Sequence, residues 1–186
     1  VIKIIDGDTF KLENNQTIRL ASVNAPELKN CYGTESSQAL RNLILNKRVT
    51  LLEPYADNYG RIIALVISNG KIINEVMVRN GFAKDTSDKF PATKAMQVAR
   101  EYAQSKNLGI YSEKCSQVVP PNLGCLIKGN HHQADNSKIY SYPGCTNYNR
   151  TIVGLFEGDQ WFCSEYEAKK AGYVKSGDCR SDFGKF

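Results

Sequence analysis

Along residues 1–23 apolar and β-branched side chains alternate with polar ones: Val1 and Ile4, then Phe10 and Leu12, then Ile18 and Leu20. The turn signals Asp6-Gly7 and Asn14-Asn15 divide them, so this segment predicts a meander of three strands. From Thr34 the apolar spacing changes to three and four residues (Ala39, Leu40, Leu43, Ile44), which sets one apolar face on a helix that Thr34 can cap. Strand character returns at 49–52 and 62–67, on either side of a polar DNYGR. Asn69-Gly70 marks a turn. Ile73, Val76 and Met77, stopped by Gly81, predict a short helix, and Pro91 opens a longer one through Ala95, Val98, Ala99, Tyr102 and Ala103. Five strands with about three helices predict a small five-stranded barrel of the oligonucleotide-binding type. Gly109 and Tyr111 would bring the chain back to the surface near Cys115.

Residues 116–124 contain Pro120-Pro121, and adjacent prolines resist both helix and central strand, so this stretch reads as a linker. The chain then divides into a barrel domain at 1–115 and a smaller domain at 125–186. The smaller one starts at Cys125 and nearly ends at Cys179, and it holds a capping box, Ser164 with Glu167, ahead of a short helix closing at Gly172. It reads as a disulfide-rich α+β domain, of a size that usually needs a covalent or metal staple. There is no internal repeat and no low-complexity tract.

At 186 residues, 41% hydrophobic and 23% charged, the chain has the composition of a globular protein with two cores. Its apolar runs, such as 62–67, are far short of the ~20 residues that span a bilayer, which excludes a transmembrane helix. It opens directly on VIKII, with no charged start, apolar stretch and cleavage site. Most of the net charge of +5 belongs to the first part, with 16 Lys and Arg against 12 Asp and Glu in residues 1–115 and 8 against 7 beyond. A mild basic surplus suits a polyanionic partner but does not identify one. The six cysteines (31, 115, 125, 145, 163, 179) include no CxxC pair, so they point to disulfides and an oxidising place of work: secreted, periplasmic or at the cell surface. No partner protein is signalled, and a monomer is expected.

Candidate chemistry gathers in the first domain. Asp6 and Asp8 stand at a strand end, Asn24 and Glu27 follow the third strand, and Arg19 and Arg61 lie on or beside other strands. Hard cations take oxygen ligands and phosphates take forked guanidinium donors, so acids flanked by two arginines suit phosphodiester hydrolysis. Each residue alone has an ordinary reading: DGDT as turn chemistry, Arg19 as a solvated strand residue, Arg61 as the partner of Asp57, Glu27 as a helix cap.

As an ordered series, IDGDT at 5–9, IRLASVNAPE at 18–27, YGTES at 32–36, DNYGR at 57–61 and NEVMVRNGFA at 74–83 resemble the staphylococcal nuclease (thermonuclease) family over about residues 1–115. The resemblance implies a calcium-dependent nuclease that cleaves DNA and RNA on the 5′-oxygen side and leaves 3′-phosphate ends. It implies that Asp8 ligates one calcium ion with Asp6 nearby, and that Ala25 offers its backbone carbonyl. Glu27 would be the general base or position the attacking water, and Arg19 and Arg61 would hold the phosphate. It also implies a Cys31–Cys115 disulfide. Two positions depart from the family. Its usual acid in the VDAPE-like motif is Asn24 here, which keeps a neutral oxygen for the metal but removes a full charge, so calcium should bind more weakly. After Ala83 its stacking tyrosines give way to KDTSDKFPA, where Lys84 and Lys89 can meet phosphate and Phe90 can stack on a base; Tyr59 of DNYGR is a further substrate-binding candidate. DNA or RNA, single-stranded or unpaired, is the expected partner.

The rival expectation is a non-catalytic module that binds nucleic acid or another polyanion and has lost its metal at Asn24. A purely structural surface module led by the tail is a third. For the tail cysteines the preferred pairing is nested, Cys125–Cys179 and Cys145–Cys163. The alternative is one zinc ion on these sulfurs, with His131 or His132 replacing one, since KIYSYPGC and WFCSEYEAKKAGY faintly resemble the zinc module of bacterial DNA-alkylation repair proteins. His131-His132 otherwise reads as an exposed loop pair, and Trp161, Phe162, Tyr140, Tyr142, Tyr148 and Tyr173 as the core of the small domain.

Overall fold

The computed structural model describes residues 1–86, 93–132 and 135–179. Pro91, Lys89 and Phe90 therefore lie outside the described residues. The chain divides into two units between Ser112 and Glu113.

The first unit begins with β1 (Lys3–Ile4), β2 (Thr9–Lys11) and β3 (Thr17–Leu20), paired antiparallel as a meander. A short β4 (Val23–Asn24) leads to α1 (Gly33–Ile44). Then come β5 (Thr50–Ala56), β6 (Ile62–Ser68), β7 (Lys71–Ile72), α2 (Ile73–Arg79), β8 (Lys84–Asp85) and α3 (Thr93–Ser105). The sheet order is β1-β2-β3-β6-β5, with β7 on β6. The five principal strands and three helices are those expected, although β1 and β5 are not paired with each other among the described residues, so the barrel is open. β6 runs parallel to β3, with Ile18 opposite Ile62 and Arg19 opposite Ile63.

Alternation places Phe10, Ile18, Leu20 and Val66 on the inner face, where they are buried with Leu40 and Ile44 of α1 and Met77 of α2. Burying a side chain of this size contributes roughly 1.5–3 kcal/mol, so this cluster anchors the fold. Helix α1 starts differently from the expectation: Tyr32, at φ 69, is the N-cap and no side chain caps the helix. Thr34 is already inside the first turn. Gly81, at φ 68, ends α2, and the amide of Phe82 returns to the carbonyl of Met77 at 2.9 Å, a helix stop that favours glycine. In α3, Met96, Ala99 and Ala103 are buried, whereas Ala95, Val98 and Tyr102 face outward. Gly109 and Tyr111 belong to a single 3-10 turn that buries Ile110 completely.

Asn74 ties sheet to helix. It has no exposed surface; its Oδ1 accepts from the Val66 amide at 2.8 Å, and its Nδ2 donates to the carbonyls of Ala21 at 2.9 Å and Ala64 at 3.2 Å.

The second unit contains β9 (Ser116–Gln117), β10 (Ile127–His132), β11 (Ser137–Ser141), β12 (Val153–Gly154), β13 (Gln160–Phe162), α4 (Glu165–Lys170) and β14 (Val174–Lys175). A four-stranded sheet runs β13-β10-β11-β14, and β9 pairs with β12. The stretch expected as a linker is thus partly built into this unit, because Ser116 and Gln117 find backbone partners in Gly154 and Val153. Tyr140, Tyr142, Phe162 and Tyr173 form its core, and Gly129 is needed because a Cβ there would stand 2.5 Å from the Phe162 ring. Ser164 caps α4 by accepting from the Glu167 amide, and Glu167 reaches back to the amide of Cys163. His131 and His132 end a strand rather than occupying a loop, and His131 Nε2 meets Asn136 Oδ1 at 2.7 Å. Lys128, 2% exposed, donates to the carbonyls of Tyr148 and Thr151 and lies 4.3 Å from the Tyr148 ring centre.

All six cysteines are in disulfides. The tail bonds are Cys125–Cys163 and Cys145–Cys179, not the nested pairs expected. Strand register decides the tail pairs: Ile127 lies opposite Phe162, which brings Cys125 up to Cys163, and Cys145 is a bridge partner of Cys179. With these sulfurs oxidised they offer no thiolates, so the zinc alternative falls, including for the cluster of Cys145, Cys179 and Asp178.

Asn74→Ala should cost about 3 kcal/mol, because it strands a buried amide and weakens two carbonyls; a urea midpoint shift at unchanged slope measures it. Peptide mapping without reduction should recover Cys125 with Cys163 and Cys145 with Cys179.

Candidate active site

The turn after β1 and the stretch after β3 meet at one carboxylate. Asp8 is 3% exposed, and a buried carboxylate needs each oxygen satisfied. Its Oδ1 accepts from Thr9 Oγ1 at 2.7 Å and from the Arg19 guanidinium, and its Oδ2 accepts from the Ala25 amide at 2.9 Å. Asp6 Oδ1 accepts from the amide of Asp8 at 3.0 Å, which fixes the turn. Burial raises the Asp8 carboxyl from 3.8 to about 6, against the opposing pull of Arg19 and with a further upward push from Asp6.

Arg19 extends the cluster. Its Nη2 donates to Asn24 Oδ1 at 2.9 Å and to the Val23 carbonyl at 3.2 Å, so one guanidinium joins β3 to the VNAPE stretch. β4 pairs with β8, which sets Asn24 opposite an exposed Lys84. The strand β8 is held from the other side by Asp85, whose two oxygens accept from Arg100 of α3 at 3.1 and 3.0 Å.

Glycines set how closely these pieces approach. A Cβ on Gly7 would lie 2.6 Å from the Ala25 Cβ and 2.7 Å from that of Ser36, so the DGDT turn packs directly on the VNAPE stretch and on α1. A Cβ on Gly33 would stand 2.0 Å from the Glu27 carbonyl. Glu27 itself is exposed, and because Tyr32 is the cap of α1 its carboxylate does not serve there.

Arg61 follows the hairpin loop between β5 and β6. Its Nε donates to Asp57 Oδ2 at 2.8 Å, and the Asp57 Oδ1 accepts from the amides of Tyr59 and Arg61 at 2.9 Å each. The ordinary pairing with Asp57 is therefore present. Arg61 also lies over the Tyr59 ring, 5.4 Å from its centre, and Tyr59 is 84% exposed. From the register of β3 and β6, Arg61 stands two residues before the partner of Arg19 on the same face of the sheet, on the order of 8 Å away between Cα atoms by strand spacing and rise.

The structure thus joins Asp6, Asp8, Arg19, Asn24 and Ala25 through direct bonds and sets Arg61 and Tyr59 on the neighbouring strand and loop. It does not bond Glu27 or Lys84 to Asp8. Thr9 and Gly7 were missed in the sequence, although both lie inside the DGDT motif that marked the site.

A folded value of about 6 against 3.8 means that the folded protein holds a proton which the unfolded chain releases. The stability that Asp8 contributes is then complete below about pH 4 and lost as pH rises through about 6. Relative to Asp8→Asn, the protein in chelator should lose on the order of 3 kcal/mol between these limits by urea unfolding, and a flat difference would contradict the burial argument.

Comparison with known proteins bears on this constellation. Residues 17–113 match the model of the staphylococcal nuclease homologue family. The chain is 31% identical over 125 residues to an Escherichia coli protein named an uncharacterized endonuclease, covering 65% of this chain and 80% of that protein. It is 32% identical over 117 residues to a Haemophilus influenzae protein of the same name, covering 61% and 65% respectively. It is 33% identical over 130 residues to a micrococcal nuclease of Shigella flexneri, covering 63% and 75%. With the motifs in family order and the family model matching residues 17–113, which include Arg19, Asn24, Ala25, Glu27 and Arg61, the chain belongs to the staphylococcal nuclease family.

Proposed function

We propose that this protein is a calcium-dependent nuclease that hydrolyses phosphodiester bonds of DNA or RNA, leaves 3′-phosphate ends, and works as a monomer in a secreted, periplasmic or cell-surface setting. The observation that carries the reading is the convergence of an arginine, an amide oxygen and the VNAPE backbone on one buried carboxylate. The relatives named as endonucleases and as a micrococcal nuclease support it. Three disulfides favour an oxidising compartment, and among the described residues no helix is long and apolar enough to cross a membrane.

Asp8, Asn24 through Oδ1 and Ala25 through its carbonyl would hold calcium, with Asp6 adding negative potential. The set is all oxygen, as a hard cation requires, and a carboxyl raised by burial and by a neighbouring acid is one that a cation would return to its ionised form. Calcium, when bound, supplies neutralisation of phosphate charge. Arg19 and Arg61 grip the non-bridging oxygens and stabilise the charge that grows on them. Glu27, exposed beside the cluster, accepts a proton from the attacking water; the water oxygen bonds to phosphorus, the bond to the 5′-oxygen breaks, and that oxygen takes a proton from solvent water and leaves as a hydroxyl. Lys84 and Tyr59 contact the strand beyond the cleaved bond.

One observation favours a second reading, a binding module without turnover: Asn24 Oδ1 is already engaged by Arg19. Cleavage of single-stranded DNA and RNA across a calcium titration, with a chelator control, separates the two. The nuclease reading expects calcium-dependent cutting, saturation of Asn24→Asp at lower calcium, and a fall in kcat of about 100-fold or more for Glu27→Ala with binding retained. Binding without cutting at any calcium level, in both the wild type and Asn24→Asp, would establish the module instead.

A further inference from the structure

The four-stranded sheet of the second unit packs Tyr140, Tyr142 and Phe162 into its core, and its register turns a different set to the other face. Lys128 lies opposite Ser141 and Asn130 opposite Ile139, with His132 two residues further along β10. Opposed residues share a face and neighbours along a strand alternate, so these side chains point away from the aromatic core.

The segment 147–152 passes over this second face. Lys128 Nζ donates to the carbonyls of Tyr148 at 2.9 Å and Thr151 at 2.6 Å, and Asn130 Nδ2 donates to that of Ile152 at 2.8 Å. The turn after β14 closes a further side: the Ser176 amide donates to the Tyr140 carbonyl at 2.9 Å, and Asp178 Oδ2 accepts from the Asn147 amide at 2.8 Å. Between sheet, segment and turn remains a cavity of about 400 Å³, whose lining includes Asn130, His132, Ile139, Ser141, Ile152 and Asp178. Its size falls within the ~300–1,000 Å³ of small-molecule sites.

Ser141 is 8% exposed, and its hydroxyl makes no hydrogen bond among the described residues. A buried hydroxyl is normally paired, so one that lines a cavity without a partner is answered by what enters the cavity. Asn130 spends both amide hydrogens, on the Ile152 carbonyl and on Asp159 Oδ2 at 2.7 Å, which leaves its Oδ1 as an acceptor. The His132 ring can donate or accept. Charge narrows the ligand class. Asp178 is the one carboxylate in the lining and repels an anion, while the Lys128 ammonium, bonded to the Thr151 carbonyl at the cavity's edge, repels a cation. Ile139 and Ile152 add an apolar wall.

We propose that this cavity is a binding site for a neutral saccharide, either a free sugar or the end of a glycan chain, whose hydroxyls pair with Ser141, Asn130 and Asp178 and whose C–H face lies on Ile139 and Ile152. A ligand rich in hydroxyls and without charge suits acceptors on one side, carbon on the other and opposite charges at the margins. The inference stands apart from the nuclease reading, since every group in it belongs to the second unit.

The test is a titration of the isotope-labelled full chain, followed by its amide NMR signals. The probes are glucose, galactose, mannose and N-acetylglucosamine, the disaccharides cellobiose and chitobiose as models of a glycan end, and the charged sugars glucosamine and glucuronate. Each is taken to about 10 mM, past the millimolar affinity of weak recognition. The proposal expects a neutral sugar from this set to shift the amides of Asn130, Ser141 and Ile152 saturably, with both charged sugars weaker. A disaccharide that binds more tightly than its monosaccharide identifies the glycan end as the ligand, and the reverse order identifies the free sugar. Ser141→Ala should raise Kd by about 3- to 10-fold, the loss of one hydrogen bond. Ile152→Ala, at a position 51% exposed where truncation spares the fold, should weaken binding as well. If no neutral sugar shifts these amides, or if Ser141→Ala leaves Kd unchanged, the proposal falls. A preference for glucosamine or glucuronate overturns it too, because the site would then recognise charge. Turnover is not read, so the result holds whether or not the chain cuts nucleic acid.

Discussion

A carboxylate withdrawn from water must have its charge answered from within, and the first unit is arranged around that requirement at Asp8. The three groups that answer it come from three places: Thr9 from β2, Arg19 from β3 and the Ala25 amide from the stretch beyond β4. None of them can move without exposing the acid or leaving it unpaired, which costs several kcal/mol at a buried site. The turn, the strand and the loop are therefore fixed relative to one another by one charge. The close contact of Gly7 with Ala25 and Ser36 then carries the same arrangement to α1.

Much of this unit is legible in the sequence, because period-two and period-three-to-four spacing survive in short elements and the turn residues mark their ends. The meander and α2 with its stop at Gly81 were legible in that way, whereas the grouping of Asp8, Arg19, Asn24 and Ala25 followed from the likeness of the motif series to the staphylococcal nuclease family. The start of α1 was not. Thr34 looks like a cap, but the chain turns at Tyr32 in a left-handed conformation that its composition does not announce. The bulge in β5 between Leu52 and Tyr55 was hidden for a related reason: no residue count reveals where the extra residue falls. The two roles that Arg61 combines, paired with Asp57 and stacked over Tyr59, are both written in DNYGR, yet only the coordinates join them.

In the second unit the aromatic core was legible and the cysteine pairing was not. Disulfide partners follow strand register, and register is a long-range property that spacing along the chain does not carry. Once Ile127 lies opposite Phe162, Cys125 reaches Cys163. The polar interior is also unexpected. Lys128 gives up most contact with water, and burial lowers its ammonium below the ordinary lysine range. It holds the turn that follows Cys145 by donating to two carbonyls of that turn and lying against its tyrosine ring.

The parallel pairing of β3 with β6 has a consequence in time. Parallel strands need a long crossover, and here it contains α1 and the whole of β5. Contacts of such separation form slowly, after local turns and helices. Arg19 and Arg61 are brought onto one face only by that pairing, so a newly made chain can have its meander and helices and still keep its two arginines apart. The face that carries both arginines is therefore completed only after segments far apart along the chain have met.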